Sequence, residues 1–340
     1  MFLVGLDFRT DLFRTRMTSA VSVSLAGILV PFGLAACLAP WLLGMPGLFG
    51  EKAKMFEAVL FLGAAISITA FPMLARIIYE RKLSGTALGT LALSAGAIDD
   101  MAAWCILAVV LASFGEGPAT AVKAIAGGVL YGVVVLTAGR WLLGRLGRIA
   151  DRSATVGNPL LAAVLSLLML AAWITDVIGI HAVFGGFLLG VAMPRGVLSR
   201  ELQQKLEPFA VVFLVPMFFT FSGLNTQMNI MVGNGILLMV AMVILLASVA
   251  GKGVACWAAA RMSGIDNRSA LAVGALMNSR GLMELIIANI GLQKGVITPA
   301  LFSMLVLMAI VTTLMASPLV DFLLHPREGK LAHVRAAQPE

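Results

Sequence analysis

The stretch TALGTLALSAGAIDDMAAWCILAVVLAS, residues 86–113, decides how this chain is read. It is long enough to cross a bilayer, because a helix spans the hydrocarbon core with about 20 apolar residues. Two acids, Asp99 and Asp100, nevertheless stand at positions 14 and 15 of its 28 residues. Each costs roughly 2.5–3.5 kcal/mol on insertion scales when held at mid-membrane. Neither has a basic neighbour three or four residues on, since residues 102–104 are Ala-Ala-Trp. Their partners must come from another helix or from solution. Adjacent helical residues point about 100° apart, so one carboxylate can face a water-filled cavity while the other faces a neighbouring helix. Two carboxylates this close titrate as a coupled pair. A carboxylate that holds either a proton or a metal cation, never both, is the minimal chemistry of exchange.

The rest of the chain agrees with a membrane setting. Of 340 residues, 60% are apolar and 12% charged, with a mean hydropathy of +0.99. Soluble domains run nearer 45–50% apolar and about 25% charged. A soluble globular protein, a disordered chain and a nucleic-acid binder are excluded; lipid is the expected surrounding. Ten apolar runs are long enough to read as spans: 20–43, 55–79, 86–113, 119–143, 158–176, 178–193, 208–224, 235–262, 268–290 and 297–323. Numbering the gaps alternately puts 18 Lys and Arg residues in the odd set and 4 in the even set. That asymmetry predicts both termini on the cytoplasmic side. Residues 325–340 form a short polar tail, and Met1–Leu6 reads as the end of a helix whose beginning is absent. Cys37, Cys105 and Cys256 all lie in apolar runs and form no metal-ligand pattern; no cofactor is expected. His181, at the start of a span, reads as interfacial, and the mixed-charge run Arg195–Glu207 reads as a linker helix on the cytoplasmic interface.

Three more charges lie deep in apolar runs: Lys252, Arg280 and Glu284. Lys252 is about 15 Å along its helix from Met262 at 1.5 Å per residue, which favours a buried partner carboxylate over snorkelling. The natural division gives one Asp to a cation and the other to Lys252. Arg280 and Glu284 are spaced to pair along one helix face. Two of the runs also carry helix breakers. In SITAFPMLAR, residues 67–76, Pro72 removes a backbone bond, so the helix should open near 68–72. The freed carbonyls, with the Ser67 and Thr69 hydroxyls, would suit a hard cation stripped of water. In MNSRGLME, residues 277–284, the polar break runs through Asn278 and Gly281. The breaks fall in the second and ninth spans, which run in opposite directions. With the span on either side of each, they form a three-plus-three inverted arrangement of the kind that builds transporters.

SITAFPMLAR, AIDDMAAW (97–104) and MNSRGLME together resemble the bacterial monovalent cation:proton antiporters of the sodium/proton exchanger superfamily. The branch is similar to that of potassium/proton and plant cation/proton exchangers. The resemblance covers essentially the whole chain. It implies an all-α polytopic membrane protein with inverted repeats and two crossing broken helices, working as a homodimer and not as an enzyme. It implies that Asp100 carries the Na⁺ or K⁺ and the proton, that Asp99 pairs with Lys252 in electrogenic exchange, and that Thr69 lies on the unwound helix beside the carrier. Arg280 and Glu284 take a structural or gating role. The family usually begins with about three further spans, of which Met1–Leu6 matches the last end. The expected organisation is 1–16 helix end and cytoplasmic loop, 17–114 first core half, 115–234 linker and scaffold or dimerisation helices, 235–324 second core half and 325–340 cytoplasmic tail. The expected location is the bacterial inner membrane. Rival readings are a cation-coupled symporter of an organic solute, a channel, and a non-transporting membrane sensor or subunit.

Overall fold

The computed structural model describes residues 1–7, 17–51, 53–83, 86–113, 118–153, 155–179, 182–229 and 233–324. The readings placed on the 8–16 loop, on His181 and on the 325–340 tail lie outside these residues. The described residues contain helices and one isolated bridge, between Phe49 and Ile297, and no strand. Among them, eight helical stretches are long and apolar enough to cross a membrane. The Asp-Asp helix, α5 (Ala87–Ser113), adds 27 residues, and the glycine-bearing α9 (Ala182–Ala192) is shorter at 11.

The chain divides into two units. The first comprises the described residues of 1–10 and 101–226. It holds α1 (Phe2–Asp7), the second part of α5, α6 (Pro118–Val134), α7 (Arg140–Ser153), α8 (Asn158–Ile178), α9, α10 (Val197–Phe209) and α11 (Val215–Leu224). Glycine explains how α1 meets α9. A Cβ on Gly5 would stand 2.3 Å from the Phe187 carbonyl oxygen, and one on Gly190 would stand 2.2 Å from that of Phe2. Small residues let helix backbones approach this closely in lipid. Two π turns, Val135–Gly139 and Ala210–Leu214, join α6 to α7 and α10 to α11. The second lies between Pro208 and Pro216, and the Val215 N–H closes it on the Ala210 carbonyl. The segment Arg195–Glu207, expected as a separate interfacial helix, therefore leads without a break into one helical stretch, Val197–Leu224. The fourth span likewise runs on to Ser153, past its expected end at 143.

The second unit comprises the described residues of 11–100 and 227–340. It holds α2 (Met17–Leu43), α3 (Met55–Ser67), α4 (Phe71–Glu80), the first part of α5, α12 (Gly235–Met262), α13 (Asn267–Met277), α14 (Leu282–Gln293) and α15 (Pro299–Leu324). α2 packs on α3 and α12, and α13 packs between α12 and α15. The α12–α13 approach is again set by glycine: a Cβ on Gly274 would lie 2.5 Å from the Gly253 carbonyl oxygen. Both interruptions lie in this unit. The first covers Ile68–Ala70, and Pro72 sits in the first turn of α4, where a missing N–H costs nothing. The opening thus stops short of the proline instead of running through it. The second covers Asn278–Gly281, between α13 and α14.

Candidate functional site

Interrupting a helix leaves donors and acceptors without intrahelical partners. In hydrocarbon those groups must be satisfied within the protein. Here each break serves the other. The Ala70 N–H, at the start of α4, donates to the Ser279 carbonyl at 3.0 Å. The Thr69 hydroxyl lies 2.7 Å from the Met277 carbonyl and 2.8 Å from Asp99 Oδ2. The Arg280 N–H donates to Thr313 Oγ1 at 3.0 Å, and that hydroxyl donates back to the Arg280 carbonyl at 2.9 Å. A Cβ on Gly281 would stand 3.1 Å from that of Ala70, so the two breaks cross in close contact.

The open C-terminal end of α3 is closed by two buried cations. Arg280 Nη1 donates to the Ala65 carbonyl at 2.6 Å and to that of Ile68 at 3.3 Å. Its Nη2 donates to the Ile66 carbonyl at 2.6 Å and to Ser248 Oγ. Lys252 Nζ donates to the Ser67 carbonyl, and to that of Gly27 at 3.3 Å. Cations at the negative end of a helix dipole are favourably placed. This corrects the expectation that the freed carbonyls near Ser67 stand open for a dehydrated cation: the protein's own Arg280 and Lys252 take them. The Ser67 hydroxyl also turns back, to the Ala64 carbonyl at 3.3 Å. Nor does Arg280 share a helix face with Glu284. It sits within the break, Glu284 in the first turn of α14, and Arg280 Nη1 reaches Glu284 Oε2 at 3.4 Å.

Asp99 and Asp100 are both buried but differ in their surroundings. Asp99 Oδ2 accepts from Lys252 Nζ at 2.6 Å, and Asp99 Oδ1 accepts from Ser24 Oγ on α2 at 2.6 Å. With Thr69, the Asp99 carboxylate has three side-chain partners. Asp100 is 0% exposed, and among the described residues neither of its oxygens has a hydrogen-bond partner. The Lys252–Asp99 pair compensates itself. Asp100 has no hydrogen-bond partner among the described residues, and an isolated buried carboxylate is costly. A bound proton or a bound cation removes that cost. Ser24 and Ser248 were not singled out in the sequence, where a lone serine in an apolar run has no distinguishing neighbour. Four other buried polar side-chain atoms at or beside the second break have no hydrogen-bond partner among the described residues: Asn278 Oδ1, Ser279 Oγ, Arg280 Nε and Glu284 Oε1.

The model of the sodium/hydrogen exchanger transmembrane family matches residues 1–325. The chain is 39% identical over 330 residues to the Na(+)/H(+) antiporter NhaS4 of Synechocystis sp., covering 94% of this chain and 78% of that protein. It is 34% identical over 354 residues to Cation/H(+) antiporter 20 of Arabidopsis thaliana and 30% identical over 337 residues to K(+)/H(+) antiporter 1 of Saccharomyces cerevisiae. The matches cover 99% and 94% of this chain, but only 42% and 38% of those two longer relatives. A solved structure, the sodium proton antiporter MjNhaP1 of Methanocaldococcus jannaschii at pH 8, superposes with a TM-score of 0.60 at 14% identity, covering 94% of this chain and 80% of that one. At that identity the likeness concerns the fold alone. These relatives are transporters, not enzymes. With the family model matching nearly its whole length, this integral membrane chain belongs to the sodium/hydrogen exchanger family.

Proposed function

We propose that the chain exchanges Na⁺ or K⁺ for protons by alternating access, with Asp100 as the carrier. One observation carries this reading: of two adjacent buried acids, Asp99 has Lys252, Ser24 and Thr69 as partners while Asp100 has no hydrogen-bond partner among the described residues. Asp100 releases its proton on one side and takes up a cation in its place. Asp99 and the Thr69 hydroxyl contribute oxygens beside it. The core shifts against the scaffold, the site opens to the other side, and a proton displaces the cation. Lys252 holds Asp99 ionised when no cation is bound, which makes the exchange electrogenic. In this reading the chain has ten spans, three and three of which form the inverted repeats; the second unit is the moving core, and the first unit supplies the scaffold and homodimer contact. Both ends face the cytoplasm across a bacterial inner membrane.

In everted vesicles, wild type is expected to move protons in response to added Na⁺ or K⁺ and to no organic solute. Asp100→Asn should bring that flux to background. Wild-type flux in this variant removes Asp100 as carrier, and flux that needs an organic solute favours the symporter. Lys252→Gln should abolish the voltage dependence of transport in proteoliposomes. An unchanged current–voltage relation removes the electrogenic role.

A further inference from the structure

Away from the Asp pair, α12, α13 and α15 enclose an open cavity of about 350 Å³. Its walls are apolar, formed by Val254, Trp257, Leu271, Leu319 and Phe322, and its inner end is Asn278, at the second break. Val254, Leu271 and Phe322 are among the exposed large apolar side chains of the molecule. The volume falls in the range of ligand pockets, about 300–1,000 Å³. In a membrane protein such a groove opens on lipid, and two further features say what kind.

The first is charge. Arg261 lies one turn beyond Trp257 on α12, and Arg268 lies one turn before Leu271 on α13. Helical spacing therefore puts both on the faces that line the groove, at its outer end. Both are exposed. Of the acids at this end, Asp321 pairs with Arg81 at 2.6 Å, and the single exposed charge of Asp266, which caps α13 by accepting from the Ser269 N–H at 3.0 Å, stands against two arginines. Arg261 commits Nη1 to the Ile265 carbonyl at 2.6 Å, which leaves its other donors for an anion. Trp257 Nε1 donates to Asn267 Oδ1 at 2.9 Å, a polar tip on an apolar ring of the sort that sits at a membrane surface.

The second feature is depth. From Arg268 to Asn278 is ten residues, about 15 Å at 1.5 Å per residue. The hydrocarbon core is about 30 Å thick. The groove thus runs from a charged rim to mid-membrane, the reach of one leaflet. Basic pockets between membrane helices are places where anionic lipid head groups bind.

We propose that this groove is a binding site for an anionic phospholipid, one acyl chain lying in it and the phosphate held by Arg261 and Arg268. The chain's end rests against Asn278, so occupancy bears directly on the second break. Binding itself depends only on the membrane setting and not on which acid carries the cation.

The test uses the full chain purified in detergent, followed by its unfolding midpoint as phosphatidylglycerol or phosphatidylcholine with identical acyl chains is added. Wild type is expected to reach half-maximal stabilisation at a phosphatidylglycerol concentration at least tenfold below that of phosphatidylcholine. Arg261→Gln with Arg268→Gln should remove that preference. Ala250→Phe, at an exposed wall position of the groove, should abolish saturable stabilisation by both lipids. Lipid-free midpoints check folding; if the phenylalanine variant fails to fold, the arginine variant decides alone. Equal response of wild type to both lipids overturns the proposal, as does a preference that survives the arginine changes. Equal stabilisation by glycerol phosphate would show that no chain is needed. Stabilisation that rises with protein concentration and not with lipid would assign the groove to a second copy of the chain. Either result also overturns it.

Discussion

The two helix breaks touch each other, yet they are finished differently. At the first, every carbonyl from Ala65 to Ile68 accepts from Arg280 or Lys252, and the Ala70 N–H is taken by Ser279. At the second, Asn278, Ser279, Arg280 and Glu284 each keep one buried polar atom without a hydrogen-bond partner among the described residues. The first break borrows its closure from the second and from α12. Buried unsatisfied groups are scarce in folded proteins, and each calls for a physical reason. Unequal satisfaction gives one here: the first break is the held side of the crossing, and the second keeps capacity to take water or to rearrange. The difference also teaches where the charges belong. Arg280, sequence neighbour of one break, is chiefly a closure for the other.

The largest effect that would break this comparison is on Arg280. Arg280→Met removes the donors to three carbonyls and leaves Glu284 buried without its cation. Removing one member of a buried ion pair costs about 3–5 kcal/mol. Glu284→Gln leaves those carbonyl bonds in place and should cost clearly less. Unfolding midpoints of the two variants in detergent make the check. If they fall equally, the arginine acts through its glutamate and not by closing α3.

A smaller effect is expected at Thr69, whose hydroxyl joins Asp99 on α5 to the Met277 carbonyl at the end of α13. Thr69→Val keeps the shape and deletes the hydroxyl. Leaving buried acceptors short of a donor costs about 1–3 kcal/mol. Thr69→Ser should recover most of that stability, because the hydroxyl is restored. Serine that recovers nothing would mean that the methyl group, not the hydrogen bonds, holds the crossing.

Much of this was legible in the sequence because membranes punish exceptions. Five charges in apolar runs and one Asn-Ser-Arg-Gly run stand out against a background that admits almost no polar group, and Pro72, one of several prolines in such runs, is set apart by the Ser67 and Thr69 hydroxyls before it. They mark the elements of the crossing in the sequence itself. The partners were harder to read. Ser24 and Ser248 carry no charge, and single hydroxyls are cheap in a helix, so nothing in the run around either distinguishes it. The role of Arg280 was hidden for another reason. Its spacing from Glu284 is that of a helical pair, but Arg280 lies in the break while Glu284 lies in the first turn of α14, and the guanidinium reaches carbonyls 215 and 214 residues away in sequence. The continuity of Val197–Leu224 was hidden because the mixed-charge run up to Glu207 and the apolar run from residue 208 differ in composition, while one helical stretch with a π turn at Ala210–Leu214 runs through both.

The smallest expected effect sharpens the contrast between the two ends of α13. Its inner end is the second break; its outer end is an ordinary cap, with the exposed Asp266 carboxylate accepting from the Ser269 N–H at 3.0 Å. Hydrogen bonding to Ser269 holds this carboxyl below the usual carboxylate range. A carboxyl whose folded value is depressed stabilises the fold above its unfolded value, about 3.9, and that contribution fades as pH falls through the lower folded value. Asp266→Ala should therefore lower the unfolding midpoint slightly at pH 7, and the gap to wild type should close in strongly acidic buffer. Cation-dependent proton flux at pH 7 should be unchanged, because the cap lies a full α13 away from the crossing. A gap that persists unchanged at the acid end would mean that the aspartate acts through its shape and not through its charge. A loss of flux would mean that the outer end of α13 is coupled to the break at its inner end, and that the held and open sides of the crossing are not set locally.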